Sequence, residues 1–128
     1  MGMIHYYNME DGELFVFDEF LICQIAEGVN VTPEHSEILN QVIKKHFQGK
    51  DLVYISNRVN SYSVDPLTYV ETERIPSLVA IAMVPDDDIM KKNAEYERNF
   101  YDKPYEIFNN LSEAIEWSHR MINDHVLN

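Results

Sequence analysis

The most uninterrupted apolar run in the chain is Leu78-Val79-Ala80-Ile81-Ala82-Met83-Val84, and it follows closely after Pro76. A second run, Leu52-Val53-Tyr54-Ile55, is shorter and nearly all apolar. Runs without polar alternation are typical of strands that are covered on both faces, as in parallel sheets packed between helices. We therefore predict that the two runs lie side by side inside one helix-covered sheet.

Helix signals alternate with these two strands. Thr32-Pro33 supplies an N-cap hydroxyl and a first-turn proline, and apolar residues then recur at helical spacing until Gly49. Asp65-Pro66 begins a short second helix in the same way, and its Leu67 and Val70 are predicted to face inward. Each helix is expected to pack against the sheet.

Two more helices are predicted in the last third of the chain. The acidic run Asp86-Asp87-Asp88 suits the positive end of a helix, and the third helix therefore begins there. Its apolar side is expected to run along Ile89, Asn93, Tyr96 and Phe100. A last short strand at 104–108 precedes a fourth amphipathic helix, which Ser112 is predicted to cap.

The N-terminal segments 3–9, 14–17 and 20–26 are rich in aromatic and branched residues, which predicts two or three strands joined by tight turns. The predicted element order is β-β-(β)-α-β-α-β-α-β-α. It indicates an α/β fold, with a single-layer mixed β-sheet and about four helices. We find no internal repeat or linker, so residues 1–128 are expected to form a single domain.

The charge of the chain narrows the class of partner. Its 22 acidic and 10 basic residues give a formal charge of -12, which repels phosphate backbones and anionic headgroups. We therefore expect no nucleic-acid partner.

No stretch approaches the ~18 consecutive apolar residues of a membrane span, and the first residues lack a basic region followed by an apolar run. We therefore expect a cytoplasmic protein without a membrane span. Cys23, the single cysteine, lies in an apolar segment and is predicted to be a buried, inert thiol.

Two segments resemble a known fold family. Leu52-Val53-Tyr54-Ile55-Ser56, followed by a loop and by the stretch 61–67, is similar to the strand-loop-helix unit of STAS domains, which are the anti-sigma-factor antagonist group of the SpoIIAA-like family. The stretch 108–117 is similar to the strand, short linker and Ser-capped last helix of that group. The resemblance covers nearly the whole chain and implies a SpoIIAA-like/STAS architecture. It also implies a non-enzymatic regulatory or protein-interaction domain.

In the family, a serine near the start of this helix is phosphorylated within an Asp-Ser-Ser-Gly-Leu-like stretch. Aligning Leu67 with the leucine of that stretch puts Val64 and Asp65 at the serine positions. Ser61 or Ser63 takes the phosphoacceptor's place only if the loop register shifts, whereas Asp65 presents a permanent carboxylate. Both alternatives remain open from the sequence.

The residues expected to form the switch or the contact with a protein partner lie within 57–69. A phosphate here would meet N–H donors at the helix start, with Arg58 as a partner. In the alternative interpretation, the serines satisfy backbone groups and the acid only caps the helix. The predicted set is Asn57, Arg58, Ser61, Tyr62, Ser63, Asp65 and Tyr69.

Two further functions are considered. SpoIIAA-like domains are similar to Sec14-type lipid-binding modules, and this implies a carrier with a small apolar ligand between sheet and helices. The other alternative is a small enzyme that uses Asn57, Arg58 and Ser63 together with a histidine.

Metal and cofactor motifs are absent from the sequence. The five histidines, at 5, 35, 46, 119 and 125, show no metal-like spacing. The four glycines, at 2, 12, 28 and 49, are too far apart for a phosphate-binding loop. We therefore predict no metal, no cofactor and no enzymatic activity.

Overall fold

The structure is a computed structural model, which describes residues 2–127 and the side chains of residues 2–124. Strands and helices alternate along the described chain. The strands are β1 (His5–Met9), β2 (Gly12–Val16), β3 (Phe20–Ile25), β4 (Asn30–Val31), β5 (Leu52–Arg58), β6 (Ser63–Val64), β7 (Leu78–Pro85) and β8 (Tyr105–Ile107). The helices are α1 (Pro33–Phe47), α2 (Leu67–Glu73), α3 (Asp88–Glu97), which continues into a 3-10 turn (Arg98–Phe100), and α4 (Leu111–Leu127).

A six-stranded mixed sheet forms the centre of the molecule, in the order β1-β2-β3-β5-β7-β8. The first three strands form an antiparallel meander, and β3, β5, β7 and β8 run parallel to one another. Val53 of β5 lies opposite Ala80 of β7, and Ile55 lies opposite Ala82. The prediction that the two apolar runs pair side by side is confirmed.

The sheet separates two apolar clusters, because successive side chains of a strand point to opposite faces. Ile81 and Met83 of β7 join the cluster beneath α1 and α2, whereas Ala80 and Ala82 join the cluster beneath α4. Every residue from 78 to 84 is buried. This double coverage explains why β7 reads as a continuous apolar run.

A second, very small sheet joins the segments that lead into α1 and α2. In it β4 and β6 pair in parallel, with Asn30 opposite Ser63 and Val31 opposite Val64. Strands of two residues have no hydrophobic periodicity, and the sequence did not predict them. The prediction of a loop from 56 to 64 was also partly wrong, because β5 continues to Arg58.

Helix α2 buries a different face from the predicted one. Leu67 and Val70 are 61% and 37% exposed. The buried face carries hydroxyl groups, those of Thr68, Tyr69 and Thr72. Thr68 donates to the carbonyl of Val31 at 3.3 Å, and the Thr72 hydroxyl lies 2.8 Å from that of Ser36 on α1. Because these hydroxyl groups find partners, burying them costs little.

Helix α3 also differs from the prediction. Most of its expected apolar side is open to solvent, since Ile89 and Tyr96 are 72% and 63% exposed, whereas Phe100 is half-buried against the core. Ala94 is the residue that packs inward, and its carbonyl accepts the Tyr105 hydroxyl of β8 at 2.8 Å. A methyl side chain allows this close approach, and a single alanine gives no periodic signal.

The helix starts agree in part with the prediction. Thr32 precedes α1, and the side chain of Asp87 caps α3 by accepting the N–H of Met90 at 2.8 Å. At α4 the cap is Asn110, whose side chain accepts the N–H of Glu113 at 2.9 Å, and the predicted cap Ser112 lies inside the helix.

Gly12, where β2 begins, offers a test of the meander. A Cβ added there would lie 2.6 Å from the carbonyl oxygen of Gln24 in β3. We expect Gly12→Ala to lower the free energy of unfolding by about 1–3 kcal/mol, because the neighbour is backbone and cannot swing away. Urea unfolding measures this. Gly2→Ala is the control, since a Cβ there meets nothing within 4 Å, and equal midpoints for the two variants would contradict the packing.

Candidate ligand-binding cavity

A cavity of about 290 Å³ lies between the sheet and helices α1 and α2. Its volume is close to the lower end of the range for small-molecule sites, roughly 300–1,000 Å³. Its walls are mostly apolar and come from strands of the large sheet and from both helices. They include Leu14, Ile25, Val31, Leu39, Ile81 and Met83.

A row of polar side chains from β5 also lines the cavity. Tyr54, Ser56 and Arg58 share one face of this strand, whereas Val53 and Ile55 pack on the other side of the sheet. The hydroxyl of Ser56 lies 3.0 Å from that of Tyr62, which follows in the connection to β6. Burial raises the pKa values of Tyr54, Tyr62 and Tyr69, so these phenols stay protonated.

Cys23 of β3 lies in register with Ser56 and also lines the cavity. It is a free cysteine, and it is buried, as predicted. Burial raises the pKa of its thiol to about 11, although a hydrogen bond with Tyr54 acts in the opposite direction. At neutral pH the group is therefore a protonated thiol and a poor nucleophile.

Arg58, which lines the cavity, forms a buried ion pair with Glu97. Arg58 and Glu97 expose 3% and 13% of their side chains. One terminal nitrogen of the guanidinium donates to the Glu97 carboxylate at 3.1 Å, and the other donates to its second oxygen. The Tyr69 hydroxyl donates to the same carboxylate. Burial alone would lower the pKa of Arg58. Tyr62 and the hydrogen bond with Glu97 outweigh this effect and raise the pKa above its usual value, so the arginine stays charged.

The guanidinium of Arg58 also stacks against an aromatic ring. Its central carbon lies 4.8 Å from the ring centroid of Tyr62, which is within the range of cation–π contacts. The Nε atom is buried and has no hydrogen-bond partner among the described residues. Orphaned buried donors are rare in proteins.

Exposed lining residues mark the opening of the cavity. They are Glu10 and Asp11 of the β1–β2 turn and Ile38 of α1. The Asp11 carboxylate lies 2.8 Å from Nε2 of His35, and Nδ1 of that ring accepts the backbone N–H of Thr32 at 3.0 Å. Since Nδ1 is the acceptor, Nε2 carries the proton and donates to Asp11. This contact ties the turn to the start of α1 beside the opening.

The structure brings together only part of the predicted 57–69 set. Arg58, Tyr62 and Tyr69 all line the cavity. Arg58 and Tyr69 donate to Glu97, and the Tyr62 ring stacks against the guanidinium. Glu97 was not predicted because it lies in a polar helix, 39 residues beyond its partner. Tyr54 and Ser56 were predicted to lie in a strand or at its end, without a role in a site.

The other predicted residues lie nearer the surface. Ser61 and Ser63 are exposed, and the hydroxyl of Ser63 donates to the side chain of Asn30 at 2.9 Å. Asp65 accepts the N–H of Leu67 at 3.0 Å at the start of α2. Asn57 is half-buried in β5.

The terminal nitrogens of Arg58 are held by Glu97. For Arg58 to pair with a phosphate in the loop, as expected from the sequence, the phosphate would have to displace a buried carboxylate.

The described hydrogen bonds bring no histidine to Asn57, Arg58 or Ser63. The described histidines with side-chain hydrogen bonds contact other residues, His35 with Asp11, His46 with Tyr7 and His119 with Glu19. The side chain of His125 lies outside the described part. Within that part, no group of three or more His, Cys, Asp or Glu residues could hold a metal ion. None of the described helices is both long and apolar enough to span a bilayer.

Comparison with solved structures finds chains of similar architecture. One of them is an uncharacterized protein of the DUF3478 family with a SpoIIAA-like fold, from Shewanella loihica PV-4. The TM-score is 0.53 at 10% sequence identity, over 89% of this chain and 90% of that one. The chain therefore has a SpoIIAA-like fold, as the sequence resemblance implied. No protein-family profile matches the chain. No curated protein matches it either.

The buried ion pair predicts a strong effect of truncation. Arg58→Ala leaves the Glu97 carboxylate buried without its partner, and we expect it to lower the free energy of unfolding by about 3–5 kcal/mol. The matched control is Arg74→Ala, which removes a 71% exposed arginine paired with Glu71 and should cost at most about 1 kcal/mol. Urea unfolding compares them. Equal losses would mean that the Arg58 pair contributes no more than a surface pair.

The raised pKa of Cys23 predicts slow thiol chemistry. With a pKa of about 11 in the folded state against roughly 8.5 when unfolded, the native protein holds fewer thiolates at pH 8 by about two orders of magnitude. The raised pKa stabilises the fold below pH 8.5, and this contribution is lost as the pH rises through 11. We expect labelling by a thiol reagent at pH 8 to be at least about 100-fold slower in native protein than in urea. Comparable rates would contradict the burial.

Proposed function

We propose that this protein is a non-enzymatic domain that binds a small, largely apolar molecule between its sheet and helices α1 and α2. The observation that carries the proposal is the cavity of about 290 Å³. Protein interiors are packed like organic crystals and rarely leave gaps much larger than a water molecule.

The lining of the cavity supports ligand binding. Small-molecule sites combine apolar walls with a few placed polar groups that orient the ligand. Here the walls are aliphatic, and the polar groups come from β5 and its neighbours, with Ser56, Arg58 and Cys23 among them. The exposed residues of the β1–β2 turn mark a route from solvent into this space.

The non-enzymatic part of the proposal is supported by how the polar groups are used. Catalysis by a nucleophile needs a neighbouring base or a lowered pKa. The Ser56 hydroxyl pairs with the phenol of Tyr62, and burial raises rather than lowers the pKa of Cys23. Glu97 accepts from Arg58 and Tyr69 instead of serving as a free base. We further propose a cytoplasmic setting, which suits a chain whose cysteine forms no disulfide.

Filling the cavity should weaken binding. Val64 of β6 lines it, and Val64→Phe places a larger ring in the space. Val70→Phe is the matched control, because Val70 lies on the exposed face of α2. A panel of small neutral aromatic and aliphatic compounds, including indole, is titrated and followed by amide NMR shifts. We expect lining residues to shift in wild type and in Val70→Phe, with affinity at least about tenfold weaker in Val64→Phe. If no compound shifts the lining residues of wild type, the proposal is wrong.

A second candidate function is contact with a protein partner through the 57–69 segment and α2. It is favoured by the exposure of Val59, Leu67 and Val70, which are 45%, 61% and 37% exposed. Leu67 and Val70 are three residues apart and lie on the same side of the helix. Clustered exposed apolar residues often mark interaction sites. Ser61 and Ser63 are exposed beside them, where modification could reach them.

Charged substitution of that helix face tests the second candidate. The double variant Leu67→Glu/Val70→Glu is compared in a pull-down with wild type and with Ile89→Glu, which changes an exposed apolar residue on α3. We expect a specific partner to be retained by wild type and by the α3 control and lost by the double variant, with mass spectrometry identifying partners and any phosphate on Ser61 or Ser63. Retention by all three proteins would exclude this face as the contact.

A further inference from the structure

The two edges of the large sheet, β1 and β8, differ in how they are protected against pairing with another strand. β8 has only three residues, carries the exposed Glu106 at its centre and follows Pro104. Short edge strands, charges and prolines all discourage a further strand from pairing. β1 has five residues without a proline, an acid, a lysine or an arginine, and its register with β2 is regular throughout. The β1 edge is therefore the one that is open to another strand.

The main-chain groups at this edge can be assigned from the hydrogen bonds of β2. In an antiparallel sheet, successive residues direct their N–H and C=O groups alternately to the two neighbouring strands. Phe17, which follows β2 in register, donates its N–H to the carbonyl of Phe20 on the β3 side. The odd-numbered residues of β2 therefore face β3, and the even-numbered ones face β1.

The same alternation continues across β1. Even-numbered residues of β2 lie opposite odd-numbered residues of β1, as Leu14 lies opposite Tyr7. The odd-numbered residues of β1 therefore bond to β2, and Tyr6 and Asn8 direct their N–H and C=O groups away from it. Within the described part of the chain, no strand lies on that side of β1. Tyr6 and Asn8 thus present a short row of donors and acceptors that another strand can use.

We propose that β1 pairs with β1 of a second copy of this chain, in an antiparallel arrangement with Tyr7 at the two-fold axis. Tyr6 of each copy then lies opposite Asn8 of the other, and each such pair exchanges two main-chain hydrogen bonds. This register uses every outward main-chain group of Tyr6 and Asn8, and the two sheets become continuous. Such an interface is isologous, as in most homodimers. The inference is independent of the ligand-binding function.

Charge favours a second copy in this arrangement. The acidic turn Glu10-Asp11 follows one end of β1. At the other end, the ring of His5 stacks on that of His46 at 5.1 Å between centroids, and Lys45 precedes His46 in the last turn of α1. Antiparallel pairing brings the acidic turn of each copy towards this basic end of the other. Opposite charges thus meet across the contact, although the chain as a whole is acidic.

The same geometry keeps the two acidic turns apart. With Tyr7 at the axis, the Glu10 positions of the two copies are six residues apart along the paired strands, or roughly 20 Å at about 3.4 Å per residue. This separation exceeds the screening length of about 8 Å at physiological ionic strength, so the turns repel each other little. A parallel pairing would place them side by side. The charges therefore select the antiparallel arrangement.

The side chains along the edge are compatible with pairing. The register places Tyr7 opposite its own copy and His5 opposite Met9, and aromatic pairs across two strands stabilise a sheet. The Tyr7 hydroxyl lies 2.5 Å from Nε2 of His46, which holds its ring in place before pairing. Met3 and Ile4, which precede β1, are 50% and 54% exposed and extend the uncharged stretch. No pair of like charges opposes the contact.

Sedimentation equilibrium of the full chain tests the proposal. Two short strands form a contact far smaller than the standard interface of roughly 1,600 Å², so we expect a weak dimer. Concentrations from roughly 10 μM to 1 mM cover the corresponding dissociation constants. Asn8→Pro removes an outward N–H that has no strand partner within the chain, and edge strands tolerate proline at such positions. We expect it to weaken dimerisation at least about tenfold, since each copy loses one main-chain bond.

Asn8→Ala is the matched control. It removes the exposed Asn8 side chain and keeps the backbone N–H, so it should dimerise like wild type. Urea unfolding checks that both variants are folded. If folded Asn8→Pro dimerises as tightly as Asn8→Ala, the proposed pairing is wrong.

Amide hydrogen exchange in wild type gives a readout that does not require any variant to fold. The amides of Tyr6 and Asn8 should exchange rapidly in dilute protein and more slowly as the concentration rises. The amide of Tyr7, which bonds to β2, should be protected at every concentration. A wild type that stays monomeric up to 1 mM overturns the proposal. So does a dimer in which Tyr6 and Asn8 exchange as fast as in the monomer, because its interface then lies elsewhere.

Discussion

The parallel pairing of β5 with β7 is the constraint on which the other features of the molecule depend. The two strands run in register from Val53 opposite Ala80 to Arg58 opposite Pro85. Because helices cover both faces of this pair, every side chain along it must enter one of two interiors. The apolar side chains fill them, and the few polar ones, Ser56 and Arg58, become internal polar groups that need partners. The cavity and the ion pair are both consequences of where β5 carries these residues.

Much of the fold follows from the sequence because burial on two faces leaves a strong pattern. The runs at 52–55 and 78–84 predicted adjacent central strands, and the alternation of strands with helices predicted the mixed sheet. The prediction was wrong where burial depends on hydrogen bonding rather than on hydrophobicity. Threonines of α2 are inside because Val31 and Ser36 offer them partners, and Leu67 is consequently turned outward. Hydrophobic periodicity cannot detect such an exchange.

The candidate site was less predictable, for a related reason. Arg58, Tyr62 and Tyr69 were selected from the sequence, but as parts of an exposed surface. Their burial depends on Glu97, which pairs with Arg58 across 39 residues of sequence. Nothing in the local pattern of α3 distinguishes this acid from its exposed neighbours, and the pairing is decided only when the helix docks beside β8. The fold determines which charged residues meet over such a distance, and the sequence of neither segment alone predicts the pair.

The short pairing of β4 with β6 has a consequence for local opening of the structure. Only two residues of each strand pair, and the N–H of Asp65 also donates to the Val31 carbonyl at 2.8 Å. Few hydrogen bonds therefore join these two segments beside the cavity. The large sheet also lines the cavity, and its strands are far longer and its central strand is buried on both faces. Regions with few hydrogen bonds open at a fraction of the global unfolding cost. We therefore expect the segments of β4 and β6 to open locally while the large sheet stays intact.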